Sequence, residues 1–502
     1  MTTRRHFLIS AAGAALTAGT GSVMAAAGKP AENITWDRTT DVLIFGAGQA
    51  GLCAAISARE NKAEVLVCEK AAFCGGHTAM SGSGYYIGGT EIQKKAGIED
   101  SIEINWKDSV DRGVKAHRFI KRDTRVVRRV YNEGIDGMHW LEKYGVRFMP
   151  NPVQGIGNRK RVHYVAPGYK KGSPVLIDTL AKQAQKMGAV IEMQTQLAGL
   201  ITATGEPTLG VRVVGAQVRD AGGRILNIRA RRGVILATGG FANSPELVKR
   251  FHPYLAGTPS LGSRLNTGDG IVAALSLGAN MIVETNGFGM NMLFVGTHKG
   301  QSMGLPMTEA PLIVVDKKGL RFEDESKGYL AACHKMTEKG IKLADWVFDS
   351  KTYEAFKDGC LKPMFTTEVV NKYDSIEALA KGEKIDAAQL KATIEKYNAD
   401  VAKGRDSVLG RKALLAAIDK PPFYAFECGP RIYTSYSGIE INAEGQVMDT
   451  RARPIPGLYA AGDVTGHLAY QCNLGGGGIS GISMATVYGR ITGANAAREK
   501  PV

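Results

Sequence analysis

Apolar residues along this chain gather in short runs that end in glycine. The first run, Asp41-Val-Leu-Ile-Phe45, stops at Gly46, and the residues after it read as a helix. A second run, Glu64-Val-Leu-Val-Cys-Glu69, follows one strand–helix–strand unit later. Residues 100–145 carry long helical patterns, 175–187 an amphipathic helix and 189–193 a strand. Alternation at 210–218 and 225–231 predicts a small β-meander, and Arg232–Gly240 a further strand ending in glycine. Asn266-Thr-Gly-Asp-Gly270 opens another helix. From about 285 to 430 the chain is richer in Met and Lys, lacks glycine fingerprints, and is helical at 375–405. The nucleotide-type pattern returns at Pro454–Asp463 and Asn473–Ser480. This predicts an α/β fold: a Rossmann-like domain in two parts, 37–285 and 431–502, with an α+β capping domain, 286–430, inserted between them. The active site is then expected between cap and nucleotide domain. No fixed-period repeat is visible.

The glycines closing the first run sharpen this reading. Gly46, Gly48 and Gly51 form G-x-G-x-x-G between strand and helix, and Glu69 ends the second strand. Gly46 permits a tight turn, Gly48 lets a pyrophosphate approach the backbone, and Gly51 lets helix pack on strand. The helix N-terminus faces the phosphates, and Glu69 can accept both ribose hydroxyls. In a chain with 62 glycines the bare motif means little. Its placement, with the acidic residue in register, predicts dinucleotide binding.

Length and charge narrow the class. The 502 residues exceed one ordinary domain and can bury a large core. The formal net charge is +15, yet no run of five or more basic residues occurs. The excess is spread over stretches such as Lys121–Arg129 and Arg229–Arg232, which read as solvated helix faces and strand ends, not as a nucleic-acid surface. Such a field can still steer an anionic substrate or an acidic electron donor. Residues 1–27 read as a targeting segment. Thr3-Arg4-Arg5-His6-Phe7-Leu8 is a twin-arginine signal, an Ala/Gly-rich apolar stretch runs from Ile9 to about Ala18, and small residues close it at Ala25-Ala26-Ala27. The stretch is too short and too glycine-rich for a stable membrane span. Export to the periplasm by the twin-arginine (Tat) machinery is expected; that route carries folded proteins and suits an enzyme that first takes up a cofactor. The seven cysteines fit neither a disulfide framework nor a zinc site, so no metal is expected. No C-x-x-C-H motif attaches a c-type haem, and no H-E-x-x-H or G-x-S-x-G occurs.

Together these segments resemble the fumarate reductase/succinate dehydrogenase flavoprotein family, which includes soluble fumarate and urocanate reductases and 3-ketosteroid dehydrogenases. The resemblance covers nearly all of 38–498. Its pieces, in order, are the fingerprint with Glu69, Gly75-Gly-His-Thr-Ala-Met-Ser-Gly82, Ala237-Thr-Gly-Gly240, Asn266–Gly270, Gly319-Leu-Arg-Phe-Glu-Asp-Glu325, Pro456–Gly462 and the glycine run 475–478. The resemblance implies FAD as cofactor. Glu69 then lies at the adenosine ribose, and Lys70 next to it is a further cofactor-binding residue. Gly75, Gly76, His77, Thr78, Ser81 and Gly82 pass the isoalloxazine, with Thr238 and Gly239 beside the cofactor. Asp269 and Asp463 hold the ribityl–phosphate region, Gly462 is a further cofactor-binding residue, and Gly478 and Ile479 approach the flavin pyrimidine through the backbone. The family's shared step is hydride transfer between flavin N5 and a carbon β to an electron-withdrawing group, a protein group handling the α-carbon proton.

The departures from the family narrow the chemistry. Dicarboxylate-reducing members place a proton-delivering arginine four residues after the Arg-Phe-x-x-Glu segment; here that position is Tyr329. Their His-Thr-Met-Gly-Gly segment reads Thr434-Ser435-Tyr436-Ser437-Gly438, and the arginine before Leu-Gly-Gly is Asn473. Fumarate is thus not the expected substrate. A tyrosine at the first position resembles 3-ketosteroid dehydrogenases, but their second tyrosine is not matched at Asn473. Tyr329 is the candidate acid, with Tyr433, Thr434, Tyr436 and Asn473 lining the pocket. Arg431 stands either for a single carboxylate or in a surface ion pair. His77 occupies a place that is asparagine in soluble reductases; a hydrogen-bonding role is preferred, and the covalent flavin link of membrane succinate dehydrogenases is the alternative. The reading is an exported reductase of an activated C=C bond, served by a separate cytochrome or quinol-linked donor. An α,β-dehydrogenase and a non-catalytic flavin electron carrier are the alternatives.

Overall fold

The computed structural model describes residues 34–115, 124–154, 159–204, 211–284, 288–294, 310–358, 370–466 and 480–502. The targeting segment and Asn473, Gly478 and Ile479 lie outside these residues. β1 (Arg38–Phe45) is buried from Thr40 onward. It pairs in parallel with β2 (Val65–Cys68) on one side and with the strand Ile225–Leu236 on the other. A central parallel strand covered on both faces has no solvent side, so its apolar residues form a run instead of alternating. Between β1 and β2, α1 (Gln49–Glu60) is buried from Gln49 to Ala58. It lies against the helix Gly481–Arg498 at a separation that requires glycine. A Cβ on Gly489 would sit 2.6 Å from the Ala50 carbonyl oxygen, and one on Gly493 2.2 Å from that of Ala54.

The main sheet runs Gln446–Met448, Pro454–Ala460, Ile225–Leu236, β1, β2, Val190–Glu192. The strands expected at 225–231 and 232–240 are one strand. Residues 225–229 pair antiparallel with Val213–Arg219 on one edge, and residues 228–236 pair in parallel with β1 on the other. Its burial changes from mixed to complete along its length, so two periodicities sit in one element. Gln196–Thr202, unforeseen, pairs with Val213–Arg219 and completes the meander.

A second sheet orders Phe288–Phe294, Phe423–Ser435, Ala344–Asp349 and Ile313–Asp316, all antiparallel, with Asn371–Tyr373 also paired to Phe423–Ser435. The helical stretch at 375–405 is two helices, Ile376–Glu383 and Ala387–Val401, separated at Lys384 with φ +56°. Asp386 caps the second by accepting from the Gln389 amide. Leu379, Leu390, Ile394 and Tyr397 pack against Ile313, Val315 and Val347 in a core of their own. The strand Phe423–Ser435 runs through position 430 without a break, linking this sheet to the wall of the site below. Among the described residues, no helix is long and apolar enough to cross a membrane.

Candidate active site

The three fingerprint glycines do different work. Gly46 has φ +104°, and a Cβ there would lie 2.3 Å from the Ala237 carbonyl oxygen. A Cβ on Gly51 would lie 1.9 Å from the Gly46 carbonyl oxygen. Gly48 would meet only the Gly75 oxygen, at 3.7 Å, so the space above it is open. The outer two glycines fix turn and packing; the middle one borders a cavity.

That cavity, of about 450 Å³, is walled by Gly46, Gly48, Glu69, Lys70, Gly76, His77, Thr78, Ser81, Gly82, Thr238, Gly239, Asp269, Gly462 and Asp463. Tyr329, Tyr433, Thr434 and Tyr436 stand on the same wall. Gly51 and Gly75 stand behind it, and Asn473, Gly478 and Ile479 are not described. The site thus gathers residues from both ends of the chain and Tyr329, the first residue of the helix Tyr329–Glu338. Tyr86, Tyr164 and Tyr169 also line it and were not foreseen. Single tyrosines near strand ends carry no motif, and no periodicity could have marked them.

Several features suit a large polar cofactor. Glu69 is buried and accepts from the Ala47 amide at 2.7 Å and the Ala71 amide at 2.8 Å. Each carboxylate oxygen keeps further acceptor capacity for a hydroxyl. Thr238 Oγ1 and Asn266 Nδ2 are buried, and their residues line the cavity; neither atom has a hydrogen-bond partner among the described residues. Unpartnered buried polar atoms are costly, so a polar occupant is called for. Lys70 Nζ bridges Thr267 Oγ1 at 2.7 Å and Asp269 Oδ2 at 3.1 Å, and Gln196 also donates to Asp269 at 3.1 Å.

At the other end, His77 Nδ1 is 3.1 Å from Asp463 Oδ2 and 3.1 Å from Thr434 Oγ1. The carboxylate can only accept, so Nδ1 donates to Asp463 and Nε2 is left for a further partner. Tyr433 meets the imidazole edge-on, with ring centroids 5.6 Å apart. Tyr329 opens its helix directly after Gly328, whose φ is +87°. The turn before it is clamped by Glu325. That carboxylate receives Arg321 Nε at 2.8 Å, Arg321 Nη2 at 2.6 Å, Arg411 Nη1 at 3.1 Å and the Val314 amide at 3.1 Å. Arg431 is half-buried, and burial pulls its guanidinium below the ordinary value. It is not on the cavity wall and makes no ion pair among the described residues; its Nη1 donates to the Pro430 carbonyl at 3.0 Å. Neither expected role for Arg431 is therefore seen among the described residues.

The family model described as "FAD binding domain" matches residues 41–479. A probable fumarate reductase of Shewanella frigidimarina is 30% identical over 467 residues, 92% of this chain and 75% of its own. A vinyl phenol reductase of Lactiplantibacillus plantarum is 28% identical, covering 91% and 96%. The solved 3-ketosteroid-Δ4-(5α)-dehydrogenase of Rhodococcus jostii RHA1 superposes with a TM-score of 0.75 at 25% identity, covering 94% of this chain and 100% of that one. The chain belongs to the FAD binding domain family, within the group of flavoproteins that includes fumarate, urocanate and acrylate reductases and 3-ketosteroid dehydrogenases. It is an FAD-dependent oxidoreductase acting on C=C bonds.

Proposed function

We propose that this protein reduces an activated alkene other than fumarate, one conjugated to an aromatic ring or a carbonyl group. One observation carries this reading. Among the described residues, six tyrosines and no arginine line the cavity. Lys70, one of its two lysines, is engaged by Asp269. The other, Lys170, stands at the exposed rim over the Tyr169 ring, so two carboxylates of a C4 diacid taken into this wall would meet at most one free cation and would be disfavoured. A neutral or singly charged aromatic alkene finds ring surfaces and hydroxyls instead.

FAD supplies hydride-transfer chemistry when bound. Gly48 would let its pyrophosphate reach the backbone, Glu69 would take ribose hydroxyls, and Thr238 and Asn266 would gain the partners they lack. His77, oriented by Asp463 and Thr434, would bond to the flavin region through Nε2. Tyr329 gives the proton to the substrate's α carbon, its position fixed by the Glu325 clamp. Tyr433, Thr434 and Tyr436 hold the activating group, with Asn473 as a further pocket residue. With residues 286–430 as the cap, this chemistry lies at its junction with the FAD-binding domain. Export by the twin-arginine route puts the enzyme in the periplasm, where a separate cytochrome or quinol-linked protein supplies electrons.

The test is anaerobic reoxidation of the dithionite-reduced protein by fumarate, acrylate, urocanate, 4-vinylphenol and a steroid enone. Reoxidation by an aryl or carbonyl-conjugated alkene, with fumarate at least about a hundredfold slower, is expected. Comparable rates with fumarate would overturn the reading. Reoxidation by none of them would favour an electron carrier.

A further inference from the structure

The cavity mouth is unusually apolar for a surface. Phe73 is 65% exposed, Met80 55%, Tyr169 50% and Leu265 36%. Met80, Tyr169 and Leu265 all line the same opening, and Phe73 lies on the loop that leads into it. Tyr169 is held in place: Tyr164 packs edge-on against it at 5.5 Å, and a Cβ on Gly82 would touch its ring at 2.7 Å. Exposed large apolar side chains gathered round one opening mark an interaction site. The collar is also basic. Lys170 lies 5.6 Å over the Tyr169 ring, Lys171 follows, and Arg264 precedes Leu265. All three cations are exposed, and none makes an ion pair among the described residues. No Asp or Glu occurs in 70–90 or 162–177, the segments that carry most of the collar.

We propose that this collar docks a small acidic one-electron carrier protein that delivers electrons to the cofactor site. The proposal rests on the redox reading above. An apolar centre with a single-sign charged rim suits a weak, fast complex: charge steers the encounter, and limited apolar burial lets the partner leave. The net charge of +15 acts in the same sense. The collar residues come from separate loops around a concave mouth. Surface binding to lipid instead uses the continuous apolar face of an amphipathic helix. Two reduced carriers each release one electron; with two protons these saturate one C=C bond to CH–CH.

The test runs in the direction that needs no substrate. Dithionite-reduced, desalted holoenzyme is mixed anaerobically with an acidic and with a basic c-type cytochrome of similar potential. The acidic cytochrome should be reduced at least about tenfold faster at low ionic strength, and the difference should collapse in about 0.5 M salt. The double variant Lys171→Glu/Arg264→Glu should lose about tenfold with the acidic protein alone, and Phe73→Ser should weaken its complex in calorimetry. Flavin reduction by dithionite should not change in any of them. Equal rates for both cytochromes, salt-independent rates, or an unaffected double variant would overturn the proposal. So would retention of the protein on phosphatidylglycerol vesicles in place of a cytochrome complex. Failure of the alkene reading shows separately, as absent alkene turnover with reduced viologen while cytochrome reduction persists.

Discussion

Glu325 offers a test of how the cap holds the proposed acid. Its carboxylate is 1% exposed and takes four donors, three of them from the buried Arg321 and Arg411. Glu325→Gln removes the charge and turns an NH₂ group toward guanidinium donors. Breaking a buried pair in this way costs about 3–5 kcal/mol. The remaining partners moderate the loss. Arg321 keeps Asp406 at 2.9 Å, and Arg411 keeps the carbonyls of Leu312, Ala413 and Leu414. The lower end, about 3 kcal/mol, is therefore expected, equivalent to about a hundredfold in an opening equilibrium. Native-state hydrogen exchange is the suitable assay, because a chain of this size need not unfold in one step. Amides of Val314 and of the helix Tyr329–Glu338 should exchange about a hundredfold faster, while those of β1 and α1 stay unchanged. Substrate turnover should fall with them, since Tyr329 is launched from this turn. A change below about tenfold in the cap amides, or an equal change in β1, would refute the clamp.

Further outcomes follow from the same geometry. Gly48 has ordinary extended φ and ψ of −77° and −179°, with open space beyond it, so Gly48→Val should fold yet lose FAD; a normal flavin spectrum after purification would count against the cofactor placement. His77 is assigned a hydrogen-bonding role, so acid precipitation of loaded protein should leave the yellow colour in the supernatant; fluorescence migrating with the polypeptide on a denaturing gel would show a covalent link instead. Burial holds His163 and His252 at about 4, below the value near 6.5 of an unfolded chain. The unfolded chain therefore takes up these protons first: stability is complete above about pH 6.5 and falls by about 3 kcal/mol per histidine toward pH 4. Melting temperatures that do not drop between pH 7 and pH 4.5 would contradict this.

Much of the nucleotide half was legible because its constraints are local. The turn at Gly46, the packing at Gly51 and the placement of Glu69 each follow from a few adjacent residues. The site wall was legible only through family order, since Tyr329 and Thr434 reach one cavity from distant segments. What escaped was set by tertiary pairing. The strand Ile225–Leu236 pairs with one neighbour over 225–229 and with another over 228–236, and so shows two patterns. Tyr86 and Tyr164 end the short paired strands Gly84–Tyr86 and Val162–Tyr164, and Tyr169 packs edge-on against Tyr164, an arrangement that no periodicity records. The Glu325 clamp joins Arg321, four residues away, to Arg411 far along the chain, and only tertiary folding brings that second arginine in.

If Tyr329 protonates the alkene, Tyr329→Phe removes that one step and leaves the rest of the site in place. The ring and its packing remain; only the hydroxyl is lost. Single-turnover kinetics separate the two halves of the cycle. Reduction of the loaded variant by dithionite, its flavin content and its hydrogen exchange should match wild type. Reoxidation by the best alkene of the panel should slow about 10²–10⁴-fold, the usual cost of a positioned general acid. Reoxidation within a few-fold of wild type would remove Tyr329 from the chemistry and contradict the account.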